Sequence, residues 1–258
     1  MALTQQQLEQ QARLQEIIDN AGPGSIVFFG GAGVSTESGI PDFRSADGLY
    51  NLKYKYPPER IISHSFFLRD PREFYRFYLD RMIYRDAAPN AAHLALAALE
   101  RVGKLRSVVT QNIDGLHQAA GSTQVRELHG SVLRNYCEGC GRFYDLEGLL
   151  ARAAEADDSV PRCESCGRII KPDVVLYEEQ LDERVISAAL ADIEAADVLI
   201  VAGTSLAVYP AAGFVHYFRG HHLVICNMSP TSLDSHAELC IAAPVGQILG
   251  GLRIEGDR

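Results

Sequence analysis

The 258-residue sequence contains no apolar run that approaches the roughly 20 residues needed to cross a bilayer. Its first residues also lack the apolar stretch of a secretory signal peptide. We therefore expect a cytoplasmic protein that does not bind membranes. In that compartment, the six cysteines are expected to be metal ligands or reduced thiols, not disulfides.

An excess of positive charge is missing as well. Lys and Arg number 24 against 33 Asp and Glu, and the formal charge of −9 argues against a surface that binds nucleic acid. The sequence also has no internal repeat and no low-complexity tract. Its 47% hydrophobic and 22% charged residues are typical of a globular protein, and its length fits one large α/β domain with small insertions. The sequence does not fix an oligomeric state, and a monomer is compatible with it.

A glycine-rich segment follows the first predicted strand. The apolar run 25–29 leads directly into Gly30, Gly31 and Gly33, as a buried strand does when it enters a phosphate-binding turn. Glycines let a pyrophosphate approach the backbone, although so short a pattern is equally compatible with an ordinary tight turn. The segment differs from the dehydrogenase fingerprint, because Thr36 occupies the place of the third glycine.

Five predicted strands each end in glycine or polar residues. Besides the first, they cover 106–110, 125–128, 197–202 and 223–226, and they are followed by the clusters 111–115, 129–130, 203–205 and 227–229. Ligands bind at the carboxyl edge of open parallel sheets, so these clusters are expected to converge on one crevice. Turns are often polar for structural reasons alone, but five such clusters together favour a binding site.

Helices are predicted around these strands. Residues 1–20 carry apolar side chains at helical spacing. The Asp-Pro pair at 70–71 predicts a helix that runs to about Tyr84, and the irregular stretch 45–58 is typical of a functional loop or lid. A further helix is expected to begin at Asn90, with a core face formed by Ala91, Leu94, Ala95, Ala98 and Leu99.

Four of the cysteines form two C-x-x-C pairs. Cys137 and Cys140 make the first pair and Cys163 and Cys166 the second, with 22 residues between the pairs, close to the spacing of zinc ribbons. Four thiolates close a tetrahedral zinc site and leave no position for water, so the predicted Zn²⁺ is structural. Two redox-active pairs are the alternative, but neither pair lies at a predicted strand-to-helix turn.

Several separated strings of the sequence resemble the sirtuins, the NAD-dependent protein-lysine deacylases. The strings are G-A-G-V-S at 31–35, S-G-I-P-D-F-R at 38–44, T-Q-N-I-D-G-L-H at 110–117, L-H-G at 128–130, K-P-D-V-V at 171–175, G-T-S-L at 203–206, Asn227 and the four cysteines. They follow the order found in that family from about Gly22 to Leu249. The resemblance therefore covers nearly the whole chain.

The resemblance implies an α/β fold, with a Rossmann-like parallel sheet that carries helices on both faces. A small zinc-binding module and a helical module would be inserted into it. The implied NAD-binding domain comprises 1–45, 90–132 and 172–258, the cofactor loop and helical module 46–89, and the zinc-ribbon module 133–171. NAD⁺, the co-substrate, and the acylated lysine side chain of a protein would meet in the cleft between these parts.

The resemblance also implies which residues contact NAD⁺. Phe43 would cover the nicotinamide, Ile113 and Asp114 would receive its carboxamide, and the backbone of Cys240 would lie against the adenine. The full set of implied contacts is Gly31, Ala32, Gly33, Thr36, Asp42, Phe43, Arg44, Gln111, Asn112, Ile113, Asp114, His129, Gly203, Thr204, Ser205, Asn227, Met228, Ser229 and Cys240.

His129 is the candidate catalytic base, with Asn112 and Asp114 as further catalytic residues. An amide oxygen is a poor nucleophile, so it can attack the ribose only if it is held in line as nicotinamide leaves. A ribose hydroxyl must then lose a proton near pH 7, which suits an imidazole. A lone histidine is often structural, and His117 is the competing candidate, but the place of His129 in Leu-His-Gly before the zinc module favours it.

The acylated lysine is expected to contact Val174, Val175 and Tyr177. The family usually continues after the valine pair with one variable residue and then Phe-Gly-Glu, whereas Glu178 replaces the glycine in this sequence. That segment pairs with the substrate backbone in the family, so peptide recognition is expected to differ. Our hypothesis is that Glu178 favours basic residues near the target lysine.

Tyr78 and Arg81 fall where sirtuins that prefer acidic acyl groups, such as succinyl, carry the same residue types. A guanidinium could hold the distal carboxylate of such a group. The alternative is that Arg81 is a solvated helix residue, and Ile62 stands where those relatives have a smaller side chain. Deacetylation is therefore expected, with tolerance of larger acyl groups as an addition.

The sequence thus predicts an NAD-dependent protein-lysine deacetylase or deacylase that transfers the acyl group to ADP-ribose and releases nicotinamide. Protein mono-ADP-ribosyl transfer at the same site is the nearest alternative. A dehydrogenase is disfavoured by the missing third glycine and by the lack of an acidic residue at the end of the second strand. A non-catalytic NAD sensor or zinc-ribbon adaptor is disfavoured because His129, Asn112 and Asp114 occur together.

Overall fold

A parallel sheet forms the centre of the molecule. The computed structural model describes residues 2–43, 48–49 and 54–256, so the expected contact residue Arg44 and part of the stretch 45–58 lie outside the described residues. The helices and strands are α1 Gln5–Asn20, β1 Ile26–Gly30, α2 Pro58–Ile61, α3 His64–Arg69, α4 Pro71–Arg81, α5 Ala91–Arg101, β2 Leu105–Thr110, α6 Leu116–Ala119, β3 Val125–Glu127, β4 Gly130–Cys137, β5 Phe143–Asp145, α7 Leu146–Ala154, β6 Ile170–Val174, α8 Glu183–Glu194, β7 Val198–Ala202, β8 His222–Cys226, β9 Leu239–Ile241 and α9 Val245–Gly250. Short 3₁₀ helices cover Ala32–Val34, Thr36–Ser38, Ala211–Tyr217 and Asp234–His236.

The large sheet has six parallel strands in the order β3-β2-β1-β7-β8-β9. The central strands β1 and β7 are buried along their whole length, as expected for a parallel sheet covered on both faces. The five predicted strands are confirmed with shifts of about a residue at their ends, and β9 adds a sixth.

Helices cover both faces of the large sheet, as the resemblance implied. On one face α1, α5 and α9 bury Leu14, Leu96 and Ile248 in a core with the sheet. On the other face, α8 and the 3₁₀ helix before β8 bury Ile193 and Phe214. Burial of such side chains is the main favourable contribution to folding, so these two cores stabilise the large sheet.

A smaller antiparallel sheet has the strand order β5-β4-β6. Helices α2, α3 and α4 pack with it, and their aromatic side chains Phe66, Phe74 and Tyr75 share a core with Val132 and Ile170. The sheet thus joins the cysteine-rich segment to the helical segment that precedes it. The division of the chain into the three expected modules stays a prediction.

Helix α4 begins where the sequence predicted, because the Asp70 side chain accepts the amide of Glu73 and Pro71 is the first helical residue. It ends at Arg81, before the expected Tyr84. No helix among the described residues is both long and apolar enough to cross a membrane.

Helix α5 is capped by Asn90 as predicted, but its expected core face is wrong in part. Leu94 is 53% exposed and Ala91 is also exposed. The buried face is centred on Leu96 and includes Ala92, because the helix packs between the large sheet and α9. The predicted core face is therefore rotated about the helix axis relative to the observed one.

The strand order reverses in the middle of the large sheet, where β1 lies between β2 and β7. Ligands of open α/β sheets bind at such a point, beyond the carboxyl ends of the strands. Here the turn after β1 touches the turn after β7, and the amide of Gly33 donates to the carbonyl oxygen of Gly203 at 2.8 Å. A Cβ on Gly33 would lie 2.7 Å from the Cα of Gly203, so the contact requires glycine.

We expect Gly33→Ala to lower the free energy of unfolding by about 2 kcal/mol, because the added methyl group would push the two turns apart. Urea denaturation measures this change. Gly22→Ala is the matched control, since a Cβ there would meet only the Ser25 hydroxyl, 3.9 Å away. Equal unfolding midpoints for the two variants would contradict the prediction.

Candidate active site

A cleft of about 800 Å³ lies between the carboxyl edge of the large sheet and the part formed by the small sheet and α4. Glycines and polar residues from the ends of all five predicted strands line it, so the expected convergence is confirmed. Of the expected NAD⁺ contacts, those lining the cleft are Gly31, Ala32, Gly33, Thr36, Asp42, Phe43, Gln111, Asn112, Ile113, Asp114, His129, Gly203, Thr204, Ser205, Asn227, Met228 and Ser229. The expected substrate contacts Tyr78, Arg81, Val174, Val175 and Tyr177 line it as well.

Cys240 is not among the residues that line the cleft. It lies within β9, where its carbonyl oxygen accepts the side-chain amide of Gln10 at 2.7 Å and its thiol contacts the carbonyl oxygen of Asp234 at 3.6 Å. The chain reaches the cleft only farther on, at Pro244 and Val245. The sequence pattern placed Cys240 on a strand correctly, and its contact with the adenine stays a prediction.

A hydrogen-bond chain joins the glycine turn to the end of β2. The Ser35 hydroxyl donates to the Asp114 carboxylate at 2.7 Å and accepts the side-chain amide of Asn112 at 3.0 Å. The other carboxylate oxygen of Asp114 accepts the amide of Leu116 at 2.9 Å. Asn112 and Asp114 are therefore held in fixed orientations at the cleft surface.

The sequence did not identify Ser35 as a functional residue. It is fully buried, and its hydroxyl is both donor and acceptor in the link between Asn112 and Asp114. The signal was present, since Ser35 closes the string 31–35, but a serine after a glycine turn is common. Only the tertiary contact shows what it does.

Glu37 is a second residue that the sequence did not point to. Its carboxylate accepts the amide of Gly246 in the first turn of α9. This contact ties the segment after the glycine turn to the C-terminal helix, next to Val245 at the cleft surface. No local sequence pattern predicts a contact over so many residues.

The glycine turn fits the phosphates of a dinucleotide. Gly31, Gly33 and Gly203 line this part of the cleft and have no side chain, so a ligand can approach the backbone there. Beside it, the side-chain amide of Gln111 donates to the Thr204 hydroxyl at 3.0 Å, which places two polar side chains at the same edge. Such an edge can bind the phosphate and ribose oxygens of a nucleotide.

His129 is oriented by the backbone of the neighbouring strand end. Its Nδ1 lies 2.9 Å from the carbonyl oxygen of Gln111. A carbonyl oxygen can only accept, so Nδ1 carries the proton of the neutral ring and Nε2 keeps its lone pair. Burial lowers the pKa of His129, and the contact with Gln111 opposes that shift without cancelling it. The imidazole is therefore neutral at pH 7 and can accept a proton.

The competing candidate, His117, is buried in the core and is not among the cleft residues. Its ring packs against that of His93, with 4.7 Å between the ring centroids. Burial, with a smaller effect of His93, lowers the pKa of His117 to about 3. His117 is thus a neutral packing residue, as its predicted place in a helix indicated.

Gly130 lets the small sheet pass directly beside His129. A Cβ on this residue, which has a φ of 75°, would overlap the carbonyl oxygen of Asp173 in β6. Because the strands approach so closely, the amide of Val175 donates to the carbonyl oxygen of His129 at 3.0 Å. This contact places Val174 and Val175 close to the backbone of His129, and both valines line the cleft.

The four paired cysteines meet outside the cleft. Their sulfur atoms all lie within 4.8 Å of one another, with 3.3 Å between Cys137 and Cys166 and 3.6 Å between Cys140 and Cys163. The Cys137 sulfur also accepts the amide of Gly139 at 3.3 Å. Four thiolates so grouped fit a closed, structural zinc site.

Comparisons with known proteins agree with this geometry. A family model described as the Sir2 family matches residues 31–210. A curated relative from Clostridium perfringens (strain 13 / Type A), named NAD-dependent protein deacetylase, is 58% identical over 241 residues, which is 92% of this chain and 96% of that protein. A protein of the same name from Staphylococcus aureus (strain N315) is 42% identical over 244 residues, 94% of this chain and 97% of its own length.

Solved structures are similar over the same length. A complex of Sir2 with a p53 peptide and NAD⁺ gives a TM-score of 0.81 at 37% identity and covers 92% of this chain and 94% of its own. Sir2 bound to an acetylated peptide gives 0.81 at 36% identity, with 93% and 95% covered. Each similarity thus covers more than nine-tenths of this chain.

The purified protein is expected to contain about one zinc ion per chain, since the four sulfurs satisfy a tetrahedral ion completely. Cys163→Ala should lose the metal and lower the melting temperature, because the metal holds β4 and the chain before β6 together. Elemental analysis and thermal denaturation measure both effects. Cys240→Ser is the control and should keep the zinc. A wild-type protein that holds no metal and melts at the same temperature as Cys163→Ala would refute the assignment.

Proposed function

The chain belongs to the Sir2 family of NAD-dependent protein deacetylases, and we propose that its cleft deacetylates protein lysine side chains with His129 as the general base. The observation that carries this assignment is the contact between Nδ1 of His129 and the carbonyl oxygen of Gln111. It leaves a neutral Nε2 in the same cleft as the glycine turn. NAD⁺ is the co-substrate, and bound there it supplies the ribose to which the acetyl group is transferred.

The cofactor side of the cleft is assigned from the glycine turn outward. Gly31, Ala32 and Gly33 would lie against the pyrophosphate, with the amide of Ala32 as a donor and Thr36 beside it, because the amides of Gly31 and Gly33 already donate to Ala202 and Gly203. Gln111, Thr204 and the residues Gly203, Ser205, Asn227, Met228 and Ser229 would hold the adenosine and the ribose. We place the adenine edge at Pro244 and Val245 in preference to Cys240, because only the former pair lines the cleft.

The nicotinamide side is assigned to the chain of hydrogen bonds around Ser35. Asp114 and the backbone of Ile113 would receive the carboxamide, and Asn112 would act beside them. Phe43, which packs against the aromatic core of the small sheet, would exclude water from the reacting atoms, with Asp42 beside it. A dry site strengthens the interactions of this fixed carboxylate and amide.

The acylated lysine would enter along the wall formed by Val174, Val175 and Tyr177. Val174 and Val175 offer apolar contact to the side chain, and they lie next to His129 because of the close strand approach at Gly130. The acyl oxygen can then be held in line with the ribose while Nε2 accepts the proton of a ribose hydroxyl. The division into three modules and the cytoplasmic location belong to this proposal as well.

Among acyl groups we propose acetyl as the preferred one. Nε of Arg81 donates to the Tyr54 hydroxyl at 2.5 Å and lies 2.7 Å from the Asp80 carboxylate, so this guanidinium already has an acidic partner. Ile62, which shares a core with Tyr78, also lines the cleft, and a smaller side chain there would leave more room. The buried hydroxyl of Tyr78, which has no hydrogen-bond partner among the described residues, is the feature that favours an additional polar acyl group.

We expect His129→Ala to reduce deacetylation of an acetyl-lysine peptide by at least about 10³-fold while the protein stays folded. Nicotinamide release measures turnover, and circular dichroism checks the fold. His236→Ala, which alters an exposed histidine outside the cleft, should keep full activity. Because burial lowers the pKa of His129, the imidazole stays neutral down to a lower pH than a free histidine does. The wild-type kcat/KM should therefore fall only at a pH below the ordinary histidine pKa of about 6.5.

Full activity of the alanine variant would exclude His129 as the base. Mass spectrometry of the same reaction separates deacetylation from mono-ADP-ribosyl transfer, because only the latter leaves ADP-ribose on the peptide. Transfer of ADP-ribose without loss of acetyl would replace our proposal by that alternative.

Arg81→Met tests the acyl preference. If the Asp80 carboxylate occupies the guanidinium as described, the substitution should change desuccinylation and deacetylation by the same factor, within about twofold. The ratio of kcat/KM for matched succinyl- and acetyl-lysine peptides is the measurement. A selective loss of desuccinylation would instead show that Arg81 holds the distal carboxylate of the acyl group.

A further inference from the structure

Glu178 has a backbone conformation that glycine adopts more easily. Its φ is 77°, in the left-handed region, and it lies in the cleft-lining segment that follows β6. A side chain is costly in this conformation, so a compensating contact is expected. Such conformations cluster at functional sites, where the surrounding structure enforces them.

The carboxylate of Glu178 makes that compensating contact. One oxygen accepts the amide of Ser65 at 2.8 Å, and the other accepts the hydroxyl of the same residue at 3.0 Å. Ser65 lies in the first turn of α3. The amides of a first turn have no partner within their own helix, so an external acceptor satisfies one of them.

The same segment caps the helix with its backbone. The amide of His64 donates to the carbonyl oxygen of Tyr177, and the amide of Tyr177 donates to the carbonyl oxygen of Ile62, both at 3.0 Å. The amide of Phe66 is the remaining one in the first turn, and it donates to the hydroxyl of Ser63. The cleft segment and Glu178 therefore supply two of the three acceptors that hold the start of α3.

We propose that Glu178 is a positioning residue for the substrate peptide. Its carboxylate fastens the segment 175–178 to α3 and so fixes the edge along which the peptide must lie. This inference rests on the proposed function, since it concerns how that peptide is held. Tyr177 forms a backbone bridge with Ser63, and Tyr177 and Ile62 both line the cleft. Loss of the Glu178 contact would therefore loosen both of these cleft residues.

This role differs from the hypothesis that Glu178 attracts basic residues of the substrate. The carboxylate is exposed, but both of its oxygens already accept a hydrogen bond from Ser65. A positioning role needs the acceptor atoms, whereas recognition of a cation needs the charge. Glutamine keeps an acceptor without the charge, so Glu178→Gln separates the two roles.

Steady-state kinetics at saturating NAD⁺ test the proposal with two acetyl-lysine peptides, one flanked by alanines and one by lysines. Glu178→Gly, which also relieves the backbone conformation, should raise KM for both peptides by about fivefold while kcat and the KM for NAD⁺ stay within about twofold. Glu178→Gln should stay within about twofold of wild type. Ser65→Ala should raise KM less than Glu178→Gly does, and the two changes should not add when combined.

Ser159→Gly is the matched control, because Ser159 also has a positive φ, 58°, but is not among the cleft residues. It should leave KM unchanged. An unchanged KM in Glu178→Gly would overturn the proposal. A rise confined to the lysine-flanked peptide, equal in Glu178→Gly and Glu178→Gln, would also overturn it and establish recognition of charge. Failure of the wild-type protein to deacetylate either peptide would instead refute the proposed function.

Discussion

The contact between the turn after β1 and the turn after β7 is the constraint on which the cleft depends. These strands are neighbours in a parallel sheet, so their turns leave the same edge side by side. The amide of Gly33 can reach the carbonyl oxygen of Gly203 only because neither residue has a side chain. Any separation of the turns would also move Ser35 away from Asp114 and so disturb the far end of the site. On this side of the cleft, a main-chain contact between Gly33 and Gly203 sets the distance between the turns. The side-chain contact of Ser35 with Asp114 depends on it.

His129 lies where the two sheets meet, and each sheet fixes a different part of it. The large sheet holds the ring, through Gln111 at the end of β2, and the small sheet holds the backbone, through the amide of Val175. An imidazole held at both places loses little entropy when it accepts a proton, since its orientation is already set. Its lowered pKa has the same origin, because burial at this junction disfavours the charged form. The geometry and the protonation state of His129 thus follow from one feature of the fold.

Much of this arrangement could be predicted from sequence because it follows from local pattern. Apolar runs marked the strands, and parallel strands must present their ends at one edge, so the positions of Asn112 and His129 followed from order alone. Contacts between distant segments could not be predicted in this way. The link from Glu37 to α9, the exposure of Leu94 and the path of the chain after Cys240 depend on how elements rotate and register, which no local pattern encodes.

Side-chain contacts hold the wall of the cleft that includes Glu178 and Glu179. These two carboxylates have different roles. Burial would raise the pKa of Glu179, but the amide of Leu176 with His64 and Lys171 holds that pKa below its ordinary value. This carboxylate belongs to the fold, because its three partners together compensate for the hydration that it loses on partial burial. Glu178 is exposed, and within the described part of the chain its carboxylate bonds to the start of α3. Since glycine would satisfy its backbone conformation at least as well, the reason for a side chain at this position must be the contact that the carboxylate makes. This part of the wall can therefore vary while the fold and the catalytic side of the cleft stay the same.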